Sequence, residues 1–264
     1  MTQQAGYVDS HCHLDDEAFD QNRQEIVNGF NAAGIEFAIN NSSDLNSSKA
    51  SLALAQTYDE IFCTVGCHPH DAKTFDANLV DFVEKAAQFN KTVAVGEIGL
   101  DYHYDLSDRL TQRRVFAEQL RLADSLGLPV TIHTREAWGD TLKILADGAR
   151  YVNNGILFHC FNGSKETAEL LTKKYDAYFA FGGVITFKNF AGADVVNGIP
   201  ADRILTETDC PYMTPVPYRG KTNQPAYVAF VAQKLAEVRQ TDLPVLLNKV
   251  KENTLRLFKK IKSK

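Results

Sequence analysis

Two histidines one residue apart, His11 and His13, stand early in the chain in the run Val8-Asp9-Ser10-His11-Cys12-His13-Leu14. Alternate side chains of an extended strand share a face, so both imidazoles project together while Cys12 points the other way. Held like this, they make half of a metal site. Taken alone, such a pair is as well explained by one surface histidine beside a packed one. What separates the two explanations is the company the pair keeps further along the chain.

His68, Glu97, His133, His159 and Asp209 each close a run of apolar residues that reads as a strand. A lone buried histidine is usually satisfied by a carbonyl, and a strand-end carboxylate often caps the next helix. Many such groups converging on one place need metal or pairing, because burying each one bare costs several kcal/mol. Nitrogen and carboxylate donors suit zinc, manganese, cobalt or magnesium. Even four of these five histidines with two carboxylates exceed what one tetrahedral ion needs, so the count favours two ions sharing a carboxylate, able to activate water and neutralise an attacked phosphate.

The elements that must position these groups alternate regularly. Strands are expected at 34–40, 61–66, 92–97, 129–133, 155–159, 177–181 and 203–209, after the one that carries His11. Between them lie helical stretches, among them 49–58, 79–90 and 109–126, with Gly34 and Gly127 as stops. A helix from Pro225, capped by Asn223 or Gln224, and another over 244–258 complete the chain. Ile98 to Tyr104 reads as a long polar and aromatic loop, and the segment around Phe187, Lys188 and Asn189 has no specific signal. Eight strands alternating with eight helical stretches predict one (β/α)8 TIM-type barrel over residues 1–264, with distortion allowed, and its active site at the C-terminal ends of the strands. Periodicity leaves a doubly wound open sheet as the alternative.

With 264 residues, 44% hydrophobic and 23% charged, the chain has the composition of an ordinary globular enzyme, and its formal charge of -5 excludes a surface coated in basic residues for nonspecific nucleic-acid binding. The opening Met1 to Gly6 is polar, unlike a signal peptide, and no run approaches the roughly 18 apolar residues of a membrane span. Five cysteines, an odd number, suit a reducing cytoplasm. Cys12, Cys160 and Cys210 each neighbour a candidate site residue, so strand alternation is expected to turn them away as packing thiols. The basic tail Lys259 to Lys264 reads as a solvated end, and nothing marks a protein partner, so a monomer is the default.

The words around the candidates carry a family resemblance. Asp9-Ser10-His11-Cys12-His13-Leu14-Asp15, Gly66-Cys67-His68-Pro69-His70, Gly96-Glu97-Ile98-Gly99-Leu100-Asp101-Tyr102, Ile132-His133-Thr134-Arg135, His159-Cys160-Phe161-Asn162-Gly163, Glu207-Thr208-Asp209-Cys210-Pro211-Tyr212 and Arg219-Gly220-Lys221-Thr222-Asn223-Gln224-Pro225 resemble those of TatD-type deoxyribonucleases, within the metal-dependent hydrolases. The resemblance runs from residue 7 to about 258. It implies that His11 and His13 hold one metal, His133 and His159 the other, and that Glu97 bridges. Asp209 would bind the first metal and act as general base. His68 would lie near the scissile phosphate, outside the metal ligands. Arg219 and Lys221 would meet backbone phosphate, and Tyr102, with His103, would stack at the mouth. The implied activity is a 3'-5' exonuclease on single-stranded or frayed DNA ends, through hydroxide activated by two divalent metals. A metal-dependent hydrolase of a small ester, amide or lactone is the enzymatic alternative, and a partner-binding barrel with structural metals the non-enzymatic one.

Overall fold

The computed structural model describes residues 5–262; Met1 to Gln4 of the polar opening and Ser263 and Lys264 of the basic tail lie outside the described residues. The strands are β1 (Tyr7–Cys12), β2 (Ile35–Asn40), β3 (Ile61–Val65), β4 (Thr92–Asp101), β5 (Val130–Arg135), β6 (Ile156–Phe158), β7 (Ala177–Phe181) and β8 (Ile204–Thr206). They form one sheet in chain order, each parallel to the next. This sequential order is a TIM-type barrel; a doubly wound sheet would reverse its order part way. Its seam is distorted. In place of a regular ladder between β8 and β1, Thr206 Oγ1 donates to the Val8 carbonyl (2.8 Å), Thr208 N to Asp9 Oδ1 (2.9 Å) and Asp209 N to the His11 carbonyl (2.9 Å).

The helices are α1 (Arg23–Asn28), α2 (Phe30–Ala33), α3 (Leu45–Thr57), α4 (Ala77–Ala86), α5 (Arg109–Ser125), α6 (Trp138–Asp147), α7 (Lys165–Lys174), α8 (Ala193–Gly198), α9 (Val228–Val238) and α10 (Leu243–Leu257). Their starts are chemically marked: the side chains of Asp44, Asp76, Asp108 and Ser164 accept backbone N–H groups in the first turns of α3, α4, α5 and α7. Gly34 ends α2 in the left-handed conformation, φ 73°. Pro225 opens a single 3-10 turn that leads into α9. Among the described residues no helix is long and apolar enough to cross a membrane.

Val115, Phe116, Leu120 and Ala123 of α5 pack with β4 and β5 residues such as Val95, Ile98 and Ile132 in one continuous core. Cys12, Leu14, Phe19 and Phe30 belong to a second cluster under α1 and α2, so Cys12 does face away from His11 and His13. The segment expected as a loop after Glu97 instead continues β4 to Asp101, pairing with β5 through Gly99–His133 and Asp101–Arg135. Gly99 permits this. At φ 134° a Cβ there would lie 2.0 Å from the His133 carbonyl oxygen, so only glycine lets the two strands approach beside Glu97 and His133.

Candidate metal centre

Side chains from six strand ends meet above the barrel. β1 delivers His11, fully buried, and just beyond it His13, partly exposed. His13 Nδ1 lies 2.9 Å from the Asn41 carbonyl, which fixes the ring and leaves Nε2 to face inward. His11 Nε2 and His13 Nε2 are 3.1 Å apart. Glu97 stands at the centre, 2% exposed, with its two oxygens divided. Oε2 is 3.2 Å from His11 Nε2 and 3.7 Å from His13 Nε2. Oε1 is 2.8 Å from His159 Nε2, 3.0 Å from His133 Nδ1 and 3.3 Å from His68 Nε2. Asp209 Oδ1 completes the first side, 3.6 Å from His11 Nε2 and 3.5 Å from His13 Nε2.

This donor set fits divalent cations. His11, His13 and Glu97 form one group whose ligand atoms lie within 4.8 Å of one another, and His68, Glu97 and His133 form another. The shared member is Glu97, the residue expected to bridge. His68 lies closer in than the resemblance implied, against the shared carboxylate oxygen rather than apart from it.

The electrostatics follow from burial opposed by neighbours. Burial pushes the Glu97 carboxyl up, but the imidazoles of His159, His68 and His11 outweigh it and hold the group well below the ordinary carboxylate range. Burial and the neighbouring His159 pull His11 down to about 3 despite Glu97, and burial takes His68 to about 4. For His13 the same desolvation is overcome by a hydrogen bond to Asp209 and the charge of Glu97, raising it to about 10. Burial of His159 is likewise outweighed by Glu97, and it rises to about 9.

Two further carboxylates stand behind the ligands and received no role from the sequence. Asp101, fully buried, accepts His133 Nε2 (3.1 Å) and His70 Nε2 (2.9 Å) on Oδ2, and the backbone N–H groups of His103 and Tyr104 on Oδ1. Strand alternation could not reach it from the sequence, because the strand was expected to end at Glu97; β4 in fact runs on to Asp101. Glu207, also fully buried, accepts Cys160 N on Oε1 (2.6 Å) and groups with His11 and His159, while its Oε2 and both Nδ1 atoms have no hydrogen-bond partner. Burial raises Glu207 to about 8.

Cys160 departs from expectation. β6 ends at Phe158, so alternation no longer governs position 160; the residue turns left-handed, φ 43°, and its thiol lines the cavity 3.9 Å from Asp209 Oδ2. Asp209 is left-handed too, φ 58°. Two non-glycine residues in that region, at about 1–3 kcal/mol each, mark a backbone bent to aim its side chains.

Above the cluster opens a cavity of about 760 Å³, walled on the metal side by His13, His68, Glu97, His133, His159 and Asp209. Of the expected substrate contacts, His68 is part of this wall, whereas Tyr102, His103, Arg219 and Lys221 are not. Tyr102 OH donates to Asp140 Oδ2 (2.6 Å), its ring under the Arg109 guanidinium, while Tyr104, two residues on, lines the cavity. Arg219 is exposed, stacked on Phe187 with Cζ 4.0 Å from the ring centroid, and donates to the Thr214 carbonyl. Lys221 is exposed beside the Tyr218 ring.

Residues 8–259 match the model of a family described as TatD related DNase. Among curated proteins, the metal-dependent hydrolase YabD of Bacillus subtilis (strain 168) is 37% identical over 252 residues, covering 95% of this chain and 98% of that protein. YcfH of Escherichia coli (strain K12), also named as a metal-dependent hydrolase, is 34% identical over 256 residues and 95% of each chain. The crystal structure of YJJV, a TatD homolog from Escherichia coli K12, superposes with a TM-score of 0.89 at 28% identity, over 97% of this chain and 99% of that one.

Proposed function

The chain belongs to the TatD-related DNase family and is a metal-dependent hydrolase; we propose that it cleaves phosphodiester bonds in DNA with two divalent ions, as a 3'-5' exonuclease on single strands or frayed ends. The observation that supports this best is Glu97, whose two oxygens serve two separate histidine groups. Ions bound there would supply an activated water and offset charge on the attacked phosphate.

The chain's own residues do the rest. Glu97, buried and ionised, sets the separation of the two groups. Asp209, held at φ 58° with its carboxylate toward His11 and His13, orients the attacking water and takes its proton as general base. His68 Nε2, beside Glu97 Oε1, is the imidazole we place against the phosphate. Tyr102, Arg219 and Lys221 lie beyond the cavity, where they would touch only a strand that runs on past it. Free thiols at all five cysteines support a reducing, cytoplasmic setting, and we take the monomer as the working unit.

The alternative is hydrolysis of a small ester, amide or lactone. It is favoured by the position of Arg219 and Lys221 outside the cavity and by the aromatic wall of Phe161, Phe181 and Phe190. A 3'-labelled single-stranded oligonucleotide with added magnesium or manganese separates the two. Release of label that His11→Ala and Glu97→Ala abolish supports the nuclease; release undiminished in both variants overturns it.

A further inference from the structure

The charge around the cavity is unlike that of a groove for a long polyanion. Among the described residues, Arg135 is the one arginine or lysine in its wall, whereas Asp15, Asp16 and Asp71 line the side of β1 and β3. In an eight-stranded barrel β1 and β5 face each other, so this cation and two of those acids stand across the mouth. The partners of their carboxylates are neutral, Asp15 accepting from Asn40 Nδ2 and Ser47 Oγ and Asp16 from Tyr212 OH and Ala18 N, while Arg23 donates to the backbone carbonyls of both.

Arg135 is placed as a binding group. It lies two residues beyond His133, on the same face of β5 and roughly 6.6 Å further along. Its guanidinium rests on the Tyr104 ring, Cζ 4.8 Å from the centroid, which fixes its plane and leaves its edge donors available. The nearest carboxylate in sequence, Glu136, is instead engaged by His103 Nδ1 at 2.7 Å. No ion pair to Arg135 occurs among the described residues. The apolar part of the same cavity wall is made by Phe161, Phe181, Val184, Ile185, Phe190 and Met213, the kind of surface on which one flat ring packs.

We infer that this site takes the end of a nucleic acid strand by a single phosphate on Arg135, with the terminal base against the phenylalanine wall, and that the acidic side of the mouth denies longer strands any added hold. This rests on the phosphodiesterase reading. A substrate that engages one cation gains little from further phosphates, and each additional one that passes Asp15, Asp16 and Asp71 is repelled.

The test is fluorescence anisotropy with 5'-labelled phosphorothioate oligonucleotides of 2, 5 and 20 nucleotides, in magnesium, across a salt series. The expected result is affinity that changes less than about threefold with length, and a log–log salt slope near -0.7, one phosphate neutralised on a single strand. Arg135→Ala should weaken dinucleotide binding about tenfold and flatten the slope, with Arg135→Lys recovering part. Asp16→Asn, at a partly exposed position, should raise affinity for the 20-mer and leave the dinucleotide unchanged. Affinity that climbs steadily with length at a slope of several units, unaltered in Arg135→Ala, overturns the inference. Hydrolysis of bis(p-nitrophenyl) phosphate tells the two failures apart. Turnover there beside steep length dependence retains the phosphodiesterase and discards the short-end site; no turnover of it or of any oligonucleotide discards both.

Discussion

The imidazoles of His11 and His159 lie face to face, ring centroids 4.0 Å apart and 11° between planes, although they reach opposite oxygens of Glu97. Two imidazolium ions stacked that closely would repel. The proton is partitioned accordingly in the metal-free protein: His11 is pulled down to about 3 by burial and by His159, and His159 is carried up to about 9 against burial by Glu97. The two halves of the centre therefore share one packed floor.

Glu207 lies at the edge of that floor. With Nε2 of both rings turned to the cluster, both Nδ1 atoms are left to carry hydrogen, and Glu207 is the carboxylate grouped with them. Above pH 8, where Glu207 is ionised, Glu207→Gln keeps an oxygen for Cys160 N but offers N–H groups to N–H groups. The expected outcome is a loss of metal affinity of about 10–100-fold with the fold intact. Equilibrium dialysis against manganese, alongside circular dichroism, measures it; unchanged affinity would show that Glu207 does not orient these ligands.

Asp101 should act on His133 alone among the ligands, since its other imidazole partner, His70, is grouped with none of them. Asp101→Asn replaces a charged acceptor with a neutral one and loosens the ring whose Nδ1 faces Glu97. Binding at one of two sites should fall about tenfold or more while the other is retained. Calorimetric titration that still resolves two unaltered sites would count against this.

Much of this centre could be read from strand periodicity. Alternation put His11 with His13 and turned Cys12 into the second core cluster, and it was enough to place each ligand at the barrel mouth. It failed where regular strand stopped or ran on. Cys160 lies beyond β6 in a left-handed turn, a state that no side-chain pattern announces. Residues Ile98 to Tyr104 were read as a polar and aromatic loop, yet β4 runs on to Asp101, and the close approach at Gly99 needs glycine there. Tyr102 and Tyr104 share one aromatic run. Which of them faces the cavity depends on Asp140 and Arg113, partners far away in the chain.

The pH response of the metal-free protein and of metal binding should have opposite signs. His13 and His159 are ordinarily near 6.5 and rise to about 10 and about 9, because the carboxylates of Asp209 and Glu97 overcome desolvation. Groups raised on folding stabilise fully below the unfolded value and lose that contribution as pH rises through the folded one. Melting of chelated protein should therefore fall between pH 6.5 and 10. Metal affinity should rise across the same interval, since both protons must leave before the nitrogens can ligate. Titration calorimetry in buffers of different ionisation enthalpy would register proton release at pH 8; a proton count of zero there contradicts the assignment of these two imidazoles.

Removing the metal should cost stability in proportion to its occupancy. Candidate ligand atoms from β1, β5 and the segments after β3 and β6 meet on Glu97 of β4, and Asp209 after β8 meets His11, so an ion there would tie together strands from around the whole barrel. A ligand that binds only the folded state adds about 2.7 kcal/mol at a hundredfold excess over its dissociation constant. For a chain of this size that corresponds to a drop of roughly 5–10 °C in Tm on chelation, since each kcal/mol shifts a large domain by about 2–4 °C. Scanning calorimetry with and without EDTA at pH 7.5 reads it directly. Glu97→Ala, lacking the shared carboxylate, should melt at one temperature whether or not the chelator is present; a shift as large as that of the native chain would place the stabilising ion somewhere other than between the two histidine groups.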